Sequence, residues 1–85
     1  LNYYSQMDFY ETKYIGFFSN NLKSGEGCME LRDEELNLVG WYIGRYENGV
    51  RHGLGQDVFI ESDEEEKYRI VPKIYNRGYL VRNYH

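Results

Sequence analysis

Tyr42-Ile43-Gly44-Arg45-Tyr46-Glu47-Asn48-Gly49-Val50-Arg51-His52-Gly53-Leu54-Gly55 is the stretch whose reading decides the fold. Asn48-Gly49 at its centre suits a two-residue hairpin turn, because both central positions of such a turn need φ > 0. Counting outward from that pair predicts that Tyr46 faces Arg51, Gly44 faces Gly53 and Tyr42 faces Gly55. On the other face Arg45 meets His52, Ile43 meets Leu54 and Trp41 meets Gln56. One face is therefore aromatic and glycine, the other mixed. Glycine inside a strand weakens it and marks the close approach of another group.

The same pattern recurs. At an offset of 28 residues, Tyr14 takes the place of Tyr42, Gly16 of Gly44, Phe18 of Tyr46, Gly25 of Gly53 and Gly27 of Gly55. Asn21 stands where Gly49 does, and asparagine is the residue after glycine that best tolerates a left-handed backbone. At an offset of 29, Tyr75 and Gly78 continue the series, but Lys73 replaces the first-strand glycine and Arg82 the first glycine of the returning arm. Turn counting would set Lys73 against Arg82, a like-charge pair. Pro72 removes a ladder donor and suits an edge. An atypical, polar last unit is what the end of a stacked array requires.

The expected strands are 2–5, 11–18, 25–31, 39–47, 52–60, 67–75 and 79–83, with no helical period over any long stretch. The acidic runs Arg32–Asn37 and Glu61–Glu66 read as solvated connectors. The prediction is an all-β chain: a single elongated antiparallel sheet of consecutive hairpins. It forms one array over residues 1–85, with copies at about 10–31, 38–60 and 67–84, the last degenerate.

Composition agrees. Ten tyrosines, nine glycines and one proline in 85 residues favour strands and tight turns. The net charge of −4 argues against general nucleic-acid binding. Charge is polarised, however: residues 67–85 hold five of the ten Lys/Arg and none of the fourteen Asp/Glu. A single cysteine, Cys28, allows no internal disulfide, and with two distant histidines it does not suggest a metal site. No glycosylation acceptor, signal peptide or long apolar run is visible, so an intracellular, cytoplasmic protein is expected, present here as an excerpt or processed form and part of a larger protein or assembly.

The pattern Tyr-x-Gly-x-aromatic, then a turn Gly or Asn, then Gly-x-Gly resembles the MORN repeat. The second copy fits fully, including His52 before Gly53. The first has Asn21 for the turn glycine and Ser24 for the histidine. The third keeps only the aromatic and the turn glycine. The resemblance implies a twisted, groove-forming sheet of a kind found in scaffold, ciliary, cytoskeletal and membrane-peripheral assemblies, and in accessory regions of some enzymes. Fold alone narrows function only to that class.

Candidate sites follow. Gly16, Gly25, Gly27, Gly44, Gly49, Gly53 and Gly55 are the structural motif, with Tyr14 covering Gly27 and Tyr42 covering Gly55 in the manner of aromatic rescue. Tyr14, Phe18, Tyr42, Tyr46 and Tyr75 form an aromatic row that holds the sheet together and lines a groove for a partner peptide or helix. Lys67, Arg69, Lys73, Arg77 and Arg82 form a basic end that either balances the acidic loop before it or meets an anionic partner. His52 and Cys28 read as structural. No nucleophile, acid/base pair, phosphate loop or cofactor motif stands out, so no catalytic residue, metal or cofactor is assigned. The leading expectation is a non-catalytic protein–protein interaction and scaffold module. The alternatives are membrane targeting through anionic phospholipid at the basic end, and an accessory domain of a larger enzyme. Self-association is expected through the N-terminal edge, residues 1–10, which lack the blunting that Pro72 and its neighbouring charges give the other end.

Overall fold

Three two-residue turns organise the chain, and in each both central residues have positive φ: Asn20-Asn21 (52° and 66°), Asn48-Gly49 (52° and 86°) and Arg77-Gly78 (49° and 92°). This is the geometry that matches the natural twist of paired strands. The computed structural model describes residues 9–83. It contains β1 (Tyr10–Ser19), β2 (Leu22–Arg32), β3 (Leu38–Glu47), β4 (Val50–Ser62), β5 (Lys67–Asn76) and β6 (Tyr79–Asn83). They form one open antiparallel sheet whose strand order is the chain order. The expected all-β meander is thus the fold. The strand expected at 2–5 lies outside the described residues, as does most of the segment expected to self-associate; β1 is the first edge of the described sheet.

The register differs from simple turn counting. Tyr46 does face Arg51, but Gly44 faces Gly55 and Ile43 faces Gln56. Tyr42 faces Asp57 and Trp41 faces Val58. Between the pairs Tyr46↔Arg51 and Gly44↔Gly55, β3 supplies only Arg45, whereas β4 supplies His52, Gly53 and Leu54. The bulge is made by Gly53 at φ 86°, a conformation costly for a residue with a Cβ. The first hairpin does the same at Gly25, φ 72°, between Phe18↔Lys23 and Gly16↔Gly27. Each bulge inserts two residues, so every side chain keeps its face while its partner moves by two.

The last hairpin departs as well. Lys73 faces Asn83, and Arg82 faces Ile74, so the expected Lys73–Arg82 clash does not form. One extra residue on β6 moves Arg82 to the other face. Pro72 faces Gln56 on β4, and the described β6 ladder stops at Lys73. At the height of Pro72, β5 therefore has a described neighbour on one side only, where a missing N–H is cheapest.

The connector after β2 is closed by Asp33, whose Oδ1 accepts from the Glu35 and Asn37 amides at 2.9 Å each. The one after β4 is tied by Ser62 Oγ, which accepts from the Glu65 amide at 3.2 Å. These local bonds let acidic, soluble loops turn without burying anything.

The sheet curls. The Phe9 and Phe59 rings lie 5.5 Å apart, and Glu11 Oε1 lies 3.1 Å from Arg51 Nη2, although β1 and β4 are separated by two strands. The inner, concave face holds the core: Met29, Leu31, Tyr42, Tyr46, Phe59 and Tyr75, with Asp57 buried among them. Burying each such large side chain stabilises by about 2–3 kcal/mol. A single layer can have a core only because curvature turns one face upon itself.

Candidate functional site

The inner face is built on a line of glycines. Gly16, Gly27, Gly44 and Gly55 are consecutive cross-strand partners over β1 to β4, and Lys73 on β5 ends the line. Two tyrosine rings lie on this bare backbone. A Cβ added at Gly16 would meet Tyr14 Oη at 2.5 Å, and one at Gly44 would meet Tyr42 Oη at 2.5 Å. The same rings cover Gly27 and Gly55, where an added Cβ would collide with them outright. Each hydroxyl reaches a carbonyl three residues on: Tyr14 Oη donates to Phe17 O at 2.9 Å and Tyr42 Oη to Arg45 O at 3.4 Å. The glycines exist to seat these rings. Tyr42 has no exposed surface, and burial raises its pKa well above the ordinary tyrosine value. Burial, against a smaller opposing effect of its backbone hydrogen bonds, also raises that of Tyr14.

The five aromatics expected in a row are contiguous. Phe18 meets Tyr14 at 5.2 Å between ring centroids and Tyr14 meets Tyr46 at 5.1 Å. Tyr46 meets Tyr42, and Tyr42 meets Tyr75, each at 5.6 Å. All four contacts are edge-to-face, the arrangement aromatic quadrupoles favour. Exposure along the row is uneven: Tyr46 is 4% and Tyr75 8% exposed, whereas Phe18 is 62% exposed. Position explains it. Tyr46 is held between Tyr14 of the preceding hairpin and Tyr42 of its own. Phe18, its counterpart in the first hairpin, has Tyr14 on one side only among the described rings.

Behind the row lies a charged cluster that the repeat pattern does not announce. The Arg51 guanidinium sits 4.0 Å over the Tyr42 ring and 5.2 Å from that of Tyr75. Its Nη1 donates to Tyr75 Oη at 2.7 Å and its Nη2 to Glu11 Oε1 at 3.1 Å. Asp57 Oδ1 lies 3.8 Å from Nη1, and Asp57 Oδ2 is ion-paired with Lys73 Nζ. Burial alone would lower the Arg51 pKa, but Tyr75, Glu11, Asp57 and Tyr46 around it raise it on balance. Cation–π contact and carboxylate pairing together make a partly buried arginine tolerable.

A cleft of about 240 Å³ opens beside this cluster, lined by Glu11, Lys23, Tyr46, Arg51 and Tyr75 with the turn residues Gly49 and Gly78 and the first residue of β4, Val50. Burial is the main cause that pushes the Tyr46 hydroxyl up to about 12, with Arg51 opposing. Arg51 stands beside that hydroxyl without meeting hydrogen-bond geometry: Tyr46 Oη and Arg51 Nε are both buried with no partner. Lys23 Nζ lies 5.8 Å from the centroids of both Tyr14 and Tyr46.

The basic residues of the C-terminal third are divided between the inner face of β5, which carries Lys67, Arg69 and Lys73, the last turn and the outer face. Lys73 is engaged with Asp57, and Lys67 Nζ lies 2.8 Å from Glu65 Oε2. Arg69 faces Phe59 on the inner side, Arg82 faces Ile74 on the outer side, and Arg77 lies in a turn. His52 ties hairpins together: its Nδ1 accepts from the Arg77 amide at 3.0 Å, and Glu47 Oε2 lies 3.3 Å from its Nε2. Cys28 is half-buried in a strand, its thiol pKa raised by burial and by Glu30, the opposite of activation. Among the described residues no group of His, Cys, Asp and Glu is placed to hold a metal ion, and no helix is long and apolar enough to cross a membrane.

Arg51, Asp57, Glu11 and Lys23 are not among the candidates from sequence. One signal for Asp57 was present: at the offset of 28 it replaces Met29, a carboxylate where the first copy has a buried apolar side chain. Lys73, a lysine where the other copies have glycine, is its answer.

A curled sheet of hairpins, the first two each seating a tyrosine on paired glycines, with no assembled reactive group among the described residues, defines a hairpin-repeat protein. The family model of the MORN repeat matches residues 14–34 and 42–56, and the chain is a MORN-repeat protein or a fragment of one. No curated protein and no solved structure matches the chain. The matched residues stop before the third hairpin, where Val71 stands in place of the ring-covering tyrosine. Membership in this non-enzymatic repeat family suggests an interaction module rather than an enzyme.

Proposed function

We propose that the chain is a non-catalytic module that docks a peptide or helix of another protein along its inner face, entering at Phe18. The observation that carries this is the one-sided packing of Phe18. Among the described rings, its counterpart Tyr46 is clasped by two tyrosines and is 4% exposed, whereas Phe18 is clasped by one and is 62% exposed. An aromatic or large apolar side chain laid against the open side of Phe18 would continue the edge-to-face series that the protein already uses. Such anchors supply much of the energy of protein interfaces. Tyr14, at the same end, belongs to this docking surface; Tyr42, Tyr46 and Tyr75 are its buried support.

The test places a photo-crosslinking amino acid at position 18 or, as a control, at the exposed outer-face position 43. A discrete protein adduct from position 18, competed by unlabelled wild-type chain and not seen from position 43, is the expected result. Adducts of equal yield from both positions would overturn the reading.

A further inference from the structure

We propose that the cleft between Lys23 and Arg51 is a carboxylate-binding subsite that takes an acidic side chain of the docked protein partner, and that Glu11 is its internal competitor. The inference deepens the docking reading and rests on it. The cleft is rich in donors. Tyr46 Oη, on a residue 4% exposed, and Arg51 Nε are both buried beside it with no hydrogen-bond partner; the acceptor Asp57 Oδ1, 3.8 Å from Arg51 Nη1, is likewise buried without one and does not reach either donor. Buried donors are nearly always satisfied in folded proteins. Lys23 adds three N–H donors, and no described carboxylate is paired with it. Its ammonium instead lies near two tyrosine rings.

The charges fix the class of ligand. Lys73 neutralises Asp57 deeper in the face. The lining then carries two positive charges, Lys23 and Arg51, against the single carboxylate of Glu11, which is 44% exposed. One further monoanion balances it. A carboxylate is the acceptor that Arg51 already takes through Nη2, and a planar carboxylate can accept from a guanidinium and a phenol at once. The site adjoins the proposed aromatic anchor, because Phe18 and Lys23 are direct cross-strand partners. A partner segment with an aromatic side chain close to an acidic one would therefore engage both. Glu11 holds the outer edge of the same guanidinium, so incoming acid meets it as a rival.

The experiment follows the Arg51 Nε–H resonance of the full chain by NMR. The probe is a short blocked peptide containing phenylalanine and glutamate, compared with the same peptide carrying glutamine. The glutamate peptide should shift that resonance saturably in the millimolar range, and the glutamine peptide should not. Glu11→Gln should tighten binding about two- to fivefold, the scale of a half-exposed ion pair. Lys23→Met, which keeps the aliphatic stem over the rings, should abolish it without lowering the unfolding midpoint. Equal shifts from both peptides, no saturable shift, or a response only to vesicles containing phosphoinositide would each overturn the subsite. Crosslinking from position 18 in the absence of peptide binding would remove the subsite and leave the docking reading standing; the reverse pattern would remove the docking reading.

Discussion

At the scale of the residue, the glycines separate into two kinds that one substitution distinguishes. Gly55 lies under the Tyr42 ring with no room for a methyl group. Gly53 has open space, its nearest neighbour Arg45 Cδ at 3.8 Å, but holds φ at 86°. Gly55→Ala should cost roughly 2–3 kcal/mol through overpacking, and Gly53→Ala about 1–2 kcal/mol through backbone strain alone. Urea unfolding measures both; a Gly55→Ala variant as stable as wild type would contradict the ring-on-glycine account. Asp57 and Lys73 make a second test. Lys73→Met leaves the buried Asp57 carboxylate only its 3.8 Å contact with Arg51 and should destabilise by about 3 kcal/mol. Asp57→Met in the same chain restores the residue type of Met29 and should recover most of that loss, so a double-mutant cycle with no coupling would refute the pair.

At the scale of the element, each hairpin is tied to the one before it by its own turn. The Gly49 amide donates to Lys23 O at 3.0 Å, and the Gly78 amide donates to Arg51 O at 2.7 Å. The same tie therefore recurs at offsets close to the repeat length. The turns themselves were legible in the sequence, because Asn-Gly and its variants specify φ > 0 directly, and six strands followed within a few residues of their observed ends. The bulges were not. A glycine two residues before another glycine can equally continue a ladder or interrupt it, and only pairing with the neighbouring strands decides. The aromatic row was legible because spacing sets which face a side chain takes. Its burial was not, because burial arises from the curl that brings β1 toward β4. The Arg51–Glu11 contact spans 40 residues and leaves no local trace.

At the scale of the whole molecule, a core in which three of the six buried apolar side chains described are tyrosine gives the fold an alkaline weakness. Burial holds the Tyr46 pKa at about 12 and moves that of Tyr42 upward too, whereas in an unfolded chain tyrosine ionises near pH ~10. A group with a raised folded pKa adds stability that is complete below the unfolded value and lost as pH rises through the folded one. Stability should therefore be level below pH ~10 and fall between about 10 and 12. Tyrosinate absorbance should show exposed tyrosines titrating first, and buried ones ionising only as strand circular dichroism is lost. Uniform titration near pH ~10 with the fold retained would contradict a buried tyrosine core.

The outer face presents a second surface of the whole sheet. Ile15, Cys28, Ile43, Gln56 and Pro72 are successive partners across five strands, with Ile15 64% and Ile43 42% exposed. The docking account assigns recognition to the inner face instead. The measurement that bears on it most directly is the affinity of the purified partner, once captured through position 18, for Phe18→Ser and Ile43→Ser variants of unchanged unfolding midpoint. The account predicts a loss of about tenfold or more for Phe18→Ser, the weight of an aromatic anchor, and an unchanged affinity for Ile43→Ser. Wild-type affinity in the Phe18→Ser variant would contradict it.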